Sequence, residues 1–133
     1  MTSDREPDGA FSVARIMESL PGTIAVMLRE LMAGPRLSSE ELRRRVATYL
    51  VSVEVSSRDV DHMDVDTAQA IANRCHRLID TLTIDSGEEH RRTVQAAVLY
   101  FVMESDAEDD RESLIGFEDD KLVVETVCRE LGL

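Results

Sequence analysis

The chain has 133 residues, 43% of them hydrophobic, and its 15 basic and 27 acidic side chains leave a formal net charge of −12. That length suits one domain whose core stands without a structural metal or disulfides, and the apolar share argues against a disordered acidic polymer. The charge argues against broad nucleic-acid binding through phosphates and against attraction to an anionic membrane surface.

Residues 1–10, MTSDREPDGA, read as a flexible tail ahead of a single helical domain over 11–133. They lack the basic start and apolar stretch of a signal peptide, so a cytoplasmic location is the expectation. Val13, Ile16, Met17 and Leu20 then fall near one helical face. Pro21 and Gly22 interrupt the pattern before Ile24, Met27, Leu28 and Leu31 resume it. Two helices or one kinked helix both fit, because proline is tolerated in a first turn. Gly34 and Pro35 form a firm stop.

Ser38 with Glu41 three residues on has the spacing of a capping box. Leu42, Val46, Tyr49, Leu50 and Val53 continue at helical period, so the segment reads as helix although Val51, Val53 and Val55 are β-branched. Arg43, Arg44 and Arg45 form the densest basic run and read as a solvated helix face. After the link SSRDVDHMDV, Asp66 is the expected cap of a helix burying Ile71, Cys75, Leu78, Ile79 and Leu82. Ser86 is the expected cap of the next, with Glu89 in the box position. That helix carries Val94, Ala97, Val98, Phe101 and Val102 and is almost wholly apolar from Ala96 to Met103, the mark of a central helix. The last helix is expected to open near Asp119 or Asp120, to bury Leu122, Val123, Val127 and Leu131, and to close at Gly132. No stretch alternates at period two for long enough to build a sheet. The expectation is an all-α compact bundle of five or six helices with an acidic turn before the last.

Cys75 and Cys128 are the only cysteines, and both sit in apolar helical patterns, as core thiols do. His62, His76 and His90 show no H-x-x-x-H or H-E-x-x-H spacing, and G-x-S-x-G and phosphate-loop motifs are lacking. No catalytic residue is assigned.

The segment YFVMESDAEDDRESLIGFEDDKLVVE, Tyr100–Glu125, stands apart: nine carboxylates fall within the seventeen residues 104–120. Asp119 and Asp120 at an expected helix start suit the free N–H groups and the dipole there. Asp106 and Asp110, four apart, repel unless a cation or base lies between them. With Asp119 and Asp120 they make the candidate set for a divalent ion, magnesium or calcium, although the calcium-loop pattern is not met. Gly116, between Ile115 and Phe117, marks a turn or a close backbone approach.

The run from Ala97 to Val124 resembles the signature of the YkvA-like family, also called DUF1232. In that family an apolar helix ending in Tyr-hydrophobic leads into P-x-D-x-x-P-D, a hydrophobic-Gly-hydrophobic step, and D-D opening an apolar helix. Tyr100 and Phe101, Asp106, Asp110, Gly116, Phe117, Asp119 and Asp120 match at that spacing, whereas the two family prolines fall at Glu104 and Asp109. The resemblance implies a divergent member and a helical frame around the acidic turn. It implies no activity.

The leading functional expectation is a non-enzymatic interaction or regulatory adaptor module. It would dock a protein partner, the acidity suiting a basic one, through Asp109, Asp110, Glu112, Phe117 and Glu118 and the adjacent helix face. A divalent-cation-dependent protein or enzyme is one alternative. A self-associating structural protein, a homo-dimer pairing a helix face such as that of Leu42, Val46 and Tyr49, is another. Nucleic acid and membrane insertion are not expected.

Overall fold

The computed structural model describes residues 13–57, 65–83, 86–103 and 116–133. They form six helices: α1 (Val13–Glu18), α2 (Gly22–Met32), α3 (Ser39–Ser57), α4 (Val65–Asp80), α5 (Glu88–Met103) and α6 (Gly116–Glu130). The described residues contain no strand, and the expected all-α bundle is what the chain builds. The first 12 residues, including the expected tail, lie outside the described set.

Pro21 divides α1 from α2. Its φ of −56° and ψ of 149° put it at the N-cap of α2, where its missing N–H costs nothing, so the two runs are separate helices. α2 ends at Met32, ahead of Gly34 and Pro35 as expected. At the start of α3 the Ser38 hydroxyl accepts the Glu41 amide at 3.1 Å, one half of the capping box. α6 closes on Gly132, whose φ of +79° suits a residue without Cβ. Its amide donates to the Arg129 carbonyl at 3.1 Å, and that of Leu133 donates to Cys128 at 2.9 Å. This is the paired closure of a Schellman motif.

α5 packs against α2, α3, α4 and α6. Residues 93–98, 100 and 101 are all buried, which is why its sequence is apolar on nearly every side. Phe101, fully buried, meets Tyr49 of α3 edge to face, ring centroids 4.8 Å apart at 85°. Ile16, Leu28, Leu42, Val46, Leu78, Val94, Val98 and Val123 fill the rest with no exposure. Each such aliphatic side chain contributes about 1.5–3 kcal/mol by leaving water.

Four expectations shift by part of a helical turn. Met27 is 44% exposed, because α2 is short and its buried residues, Ile24 and Leu28, make a narrow stripe. Leu122 is 37% exposed and Val124 takes its place inside. The buried set of α6 is Asp120, Val123, Val124, Thr126, Val127 and Cys128, in which Asp120, Val123, Val124 and Val127 make the i, i+3, i+4, i+7 stripe. α4 begins at Val65, so Asp66 lies within its first turn. α5 begins at Glu88, and the carbonyl of Gly87 accepts the first helical bond, from Arg91 at 3.0 Å. Ser86 instead closes the preceding link, accepting the Thr83 amide on its hydroxyl at 2.8 Å.

Candidate functional site

The acidic segment joins the end of α5 to the start of α6. Asp106, Asp109, Asp110 and Glu112 lie outside the described residues, as do the side chains of Phe117 and Glu118. The beginning of α6 is described, and it corrects the expected boundary. The helix opens at Gly116, three residues ahead of Asp119. Gly116 is therefore its first residue, and Asp119 and Asp120 are its fourth and fifth, past the cap position assigned to them.

The helical rotation of about 100° per residue separates those two neighbours. Asp119 is half-buried and Lys121 exposed, whereas Asp120 is wholly buried on the core-facing stripe. Asp120 thus belongs to the inside of the α4–α5–α6 corner, which the sequence pattern did not reveal. A carboxylate three residues after Phe117 and just ahead of an apolar run looks like a cap. Only the continuation of the stripe back from Val124 and Val127 by four and seven residues would have placed it inside.

Burial first, then the proximity of Cys128, then that of Asp120, push the Cys75 thiol well above its ordinary value. Cys128 is also raised by burial, against the lowering influence of the Arg74 charge and hydrogen bond. Both cysteines are free and buried, as expected of core thiols. Held protonated, they are poor nucleophiles and poor metal ligands. Arg74 of α4 also faces Glu125 of α6 at 3.8 Å, and Arg15 of α1 faces Glu130 at 3.7 Å. These are partly exposed pairs, worth about 0–1 kcal/mol each.

Among the described residues no group of three or more His, Cys, Asp or Glu side chains is placed to hold a metal ion. Among the same residues no helix is long and apolar enough to cross a membrane. The α3 face of Leu42, Val46 and Tyr49, offered above as a dimer face, is 0%, 0% and 7% exposed. It is core and cannot pair two copies. The large apolar residues that α3 presents outward, among its described side chains, are Val51 and Val55.

A second polar constellation escaped sequence reasoning. Gln95, 4% exposed in the middle of α5, donates from Nε2 to the Pro35 carbonyl at 2.6 Å. Its Oε1 accepts the Leu37 amide at 2.7 Å. The two partners fix the amide orientation, since a carbonyl must face Nε2 and an N–H must face Oε1. One turn earlier, Arg92 donates from Nη1 to the Met32 carbonyl and from Nε to Glu88, both at 2.7 Å. Arg91 donates from Nη2 to the Thr83 carbonyl at 2.6 Å. The first two turns of α5 thereby hold the α2–α3 link and the α4–α5 link. The available signal was a lone glutamine inside an apolar helix. A central helix leaves no water to satisfy such a residue.

Comparison with known protein families, curated proteins and solved structures finds no match to this chain.

Proposed function

We propose that this protein is a non-enzymatic helical module that docks a protein partner through the acidic connection between α5 and α6. The contact would centre on Asp109, Asp110, Glu112, Phe117 and Glu118. The observation that carries the reading is the concentration of charge: nine carboxylates against one arginine over residues 104–120. Such a surplus has little use inside a helical protein, where like charges near one another cost stability. It becomes favourable when a basic surface arrives, and it speeds the encounter. The resemblance of residues 97–124 to the YkvA-like segment is part of the proposal and supports the helical frame of the connection, not the partner.

Affinity capture from the native cell extract tests it, with the wild-type chain beside the variant carrying Asp109→Lys, Asp110→Lys and Glu112→Lys. The expected result is a partner retained at low salt, weakened as salt rises, and lost with the variant. Retention that ignores both salt and the reversals sinks the reading. Calorimetric titration of chelator-stripped protein with magnesium, calcium and manganese separates it from the divalent-cation alternative, which requires saturable heat.

A further inference from the structure

The bundle carries a small cleft beside the N-terminal half of α5. It lies between the α2–α3 link and the first two turns of α5 and is shallow, with room for about one water-sized group below its rim. Arg36, Arg91 and Arg92 line it with Gln95 and Leu37, against the single carboxylate of Glu88. Three cations to one anion is a local reversal in a chain of net charge −12.

The donors are partly committed and partly available. A guanidinium offers five N–H donors. Arg92 gives Nε to Glu88 and Nη1 to the Met32 carbonyl, and Arg91 gives Nη2 to the Thr83 carbonyl. Those bonds hold both groups in place and leave further N–H donors on each. Arg36 is exposed and makes no hydrogen bond or ion pair among the described residues. The rim therefore has two preset guanidinium groups and one free to swing in.

The cleft is too small to enclose a free cofactor, since small-molecule sites cover most of their ligand. It suits a head group whose remainder stays outside. A planar, singly charged group matches the guanidinium fork in two parallel bonds, and the Glu88 charge works against a more highly charged anion. We propose that this cleft receives a carboxylate side chain of a partner polypeptide, gripped by Arg36 and oriented by Arg91 and Arg92. The inference is independent of the acidic connection, which lies at the other end of α5.

The test is a ¹⁵N-labelled full-length chain titrated with three probes. They are a blocked peptide bearing one glutamate in an otherwise uncharged sequence, the same peptide with glutamine, and inorganic phosphate. The expected outcome is saturable shifts at the amides of Gly34, Arg36 and Leu37 with the glutamate peptide alone. Arg36→Glu should weaken that binding by at least about tenfold. Arg129→Glu should leave it unchanged, because it makes the same change of charge at an exposed arginine outside the cleft. Arg36 is solvent-facing, so a wild-type-like spectrum of its variant confirms an intact fold. Shifts shared by the glutamine peptide overturn the proposal. So do shifts spread evenly over the bundle, saturation by phosphate without the peptide, or equal effects of the two substitutions.

Discussion

At its N-terminal end α5 turns Arg92 and Gln95 inward onto the backbone carbonyls of Met32 and Pro35. At its C-terminal end the same helix leads into seventeen residues with nine carboxylates and one arginine. At the first end each named polar group has a partner within the chain, so its value is measured in stability. At the second end the charges outnumber any local bases, and they also follow the negative end of the α5 dipole. Polar residues at the two ends of one helix thus answer to different demands, and substitution separates them.

The largest effect comes from the apolar core that α5 fills. Phe101→Ala removes a fully buried ring and its edge contact with Tyr49. The expected loss is about 3–5 kcal/mol, read as a lower urea midpoint. A loss below about 1 kcal/mol would mean that α5 is not the central element.

Gln95→Leu keeps the volume and deletes both bonds to the α2–α3 link. The Leu37 amide and the Pro35 carbonyl are then left facing an apolar side chain. A cost of about 2–3 kcal/mol follows from the unpaired groups. Amide exchange at Leu37 should quicken more than exchange in α6, which sharpens the contrast between anchoring and surplus polarity. Uniform quickening across the chain would show instead that the glutamine only fills space.

How much of this could be read beforehand follows the range of the interactions. The i, i+4, i+7 spacing of Leu42, Val46, Tyr49 and Val53, the Ser38 cap and the Gly132 closure all act within a few residues, so the pattern alone locates them. The Gln95 bonds join residues 58 and 60 apart in the chain, and no local rule predicts them. The inward position of Asp120 was hidden for a related reason. Its carboxylate satisfies the local description of a cap, and only the packing of α6 against α4 and α5 shows which way it faces. Ser86 illustrates the same competition at short range. A serine two residues before a helix can cap it or close the preceding turn, and here the Thr83 amide takes the hydroxyl.

Reversing Asp109, Asp110 and Glu112 to lysine changes the charge by +6, from −12 to −6. The surplus reading predicts a gain in stability, about 0.5–1 kcal/mol at low salt, as repulsion among the carboxylates falls. Added salt should erase it. A loss of stability, insensitive to salt, would show instead that these carboxylates hold the fold together as Gln95 does at the other end.

The smallest effect belongs to His90, near the anchored end. Burial first, and the neighbouring Arg91 charge second, hold its pKa below the ordinary 6.5. Thr81 Oγ1 lies 2.6 Å from the Leu78 carbonyl, which takes its hydrogen. The hydroxyl oxygen therefore accepts from His90 Nε2 at 2.9 Å. Imidazole and imidazolium both make that donation, so the bond does not oppose protonation; burial and Arg91 do. The unfolded chain, with its ordinary value, takes up a proton that the folded chain resists. Stability contributed by the neutral ring is thus present above pH 6.5 and is lost as the pH falls through that value. The loss levels off once the lowered folded value is passed. Urea midpoints of the wild type and of His90→Gln, compared from about pH 7.5 down to about pH 5, isolate this contribution from the carboxylates. The wild type should lose ground relative to the variant on the acid side. Parallel curves would place His90 in water-like surroundings and detach it from the anchored end of α5.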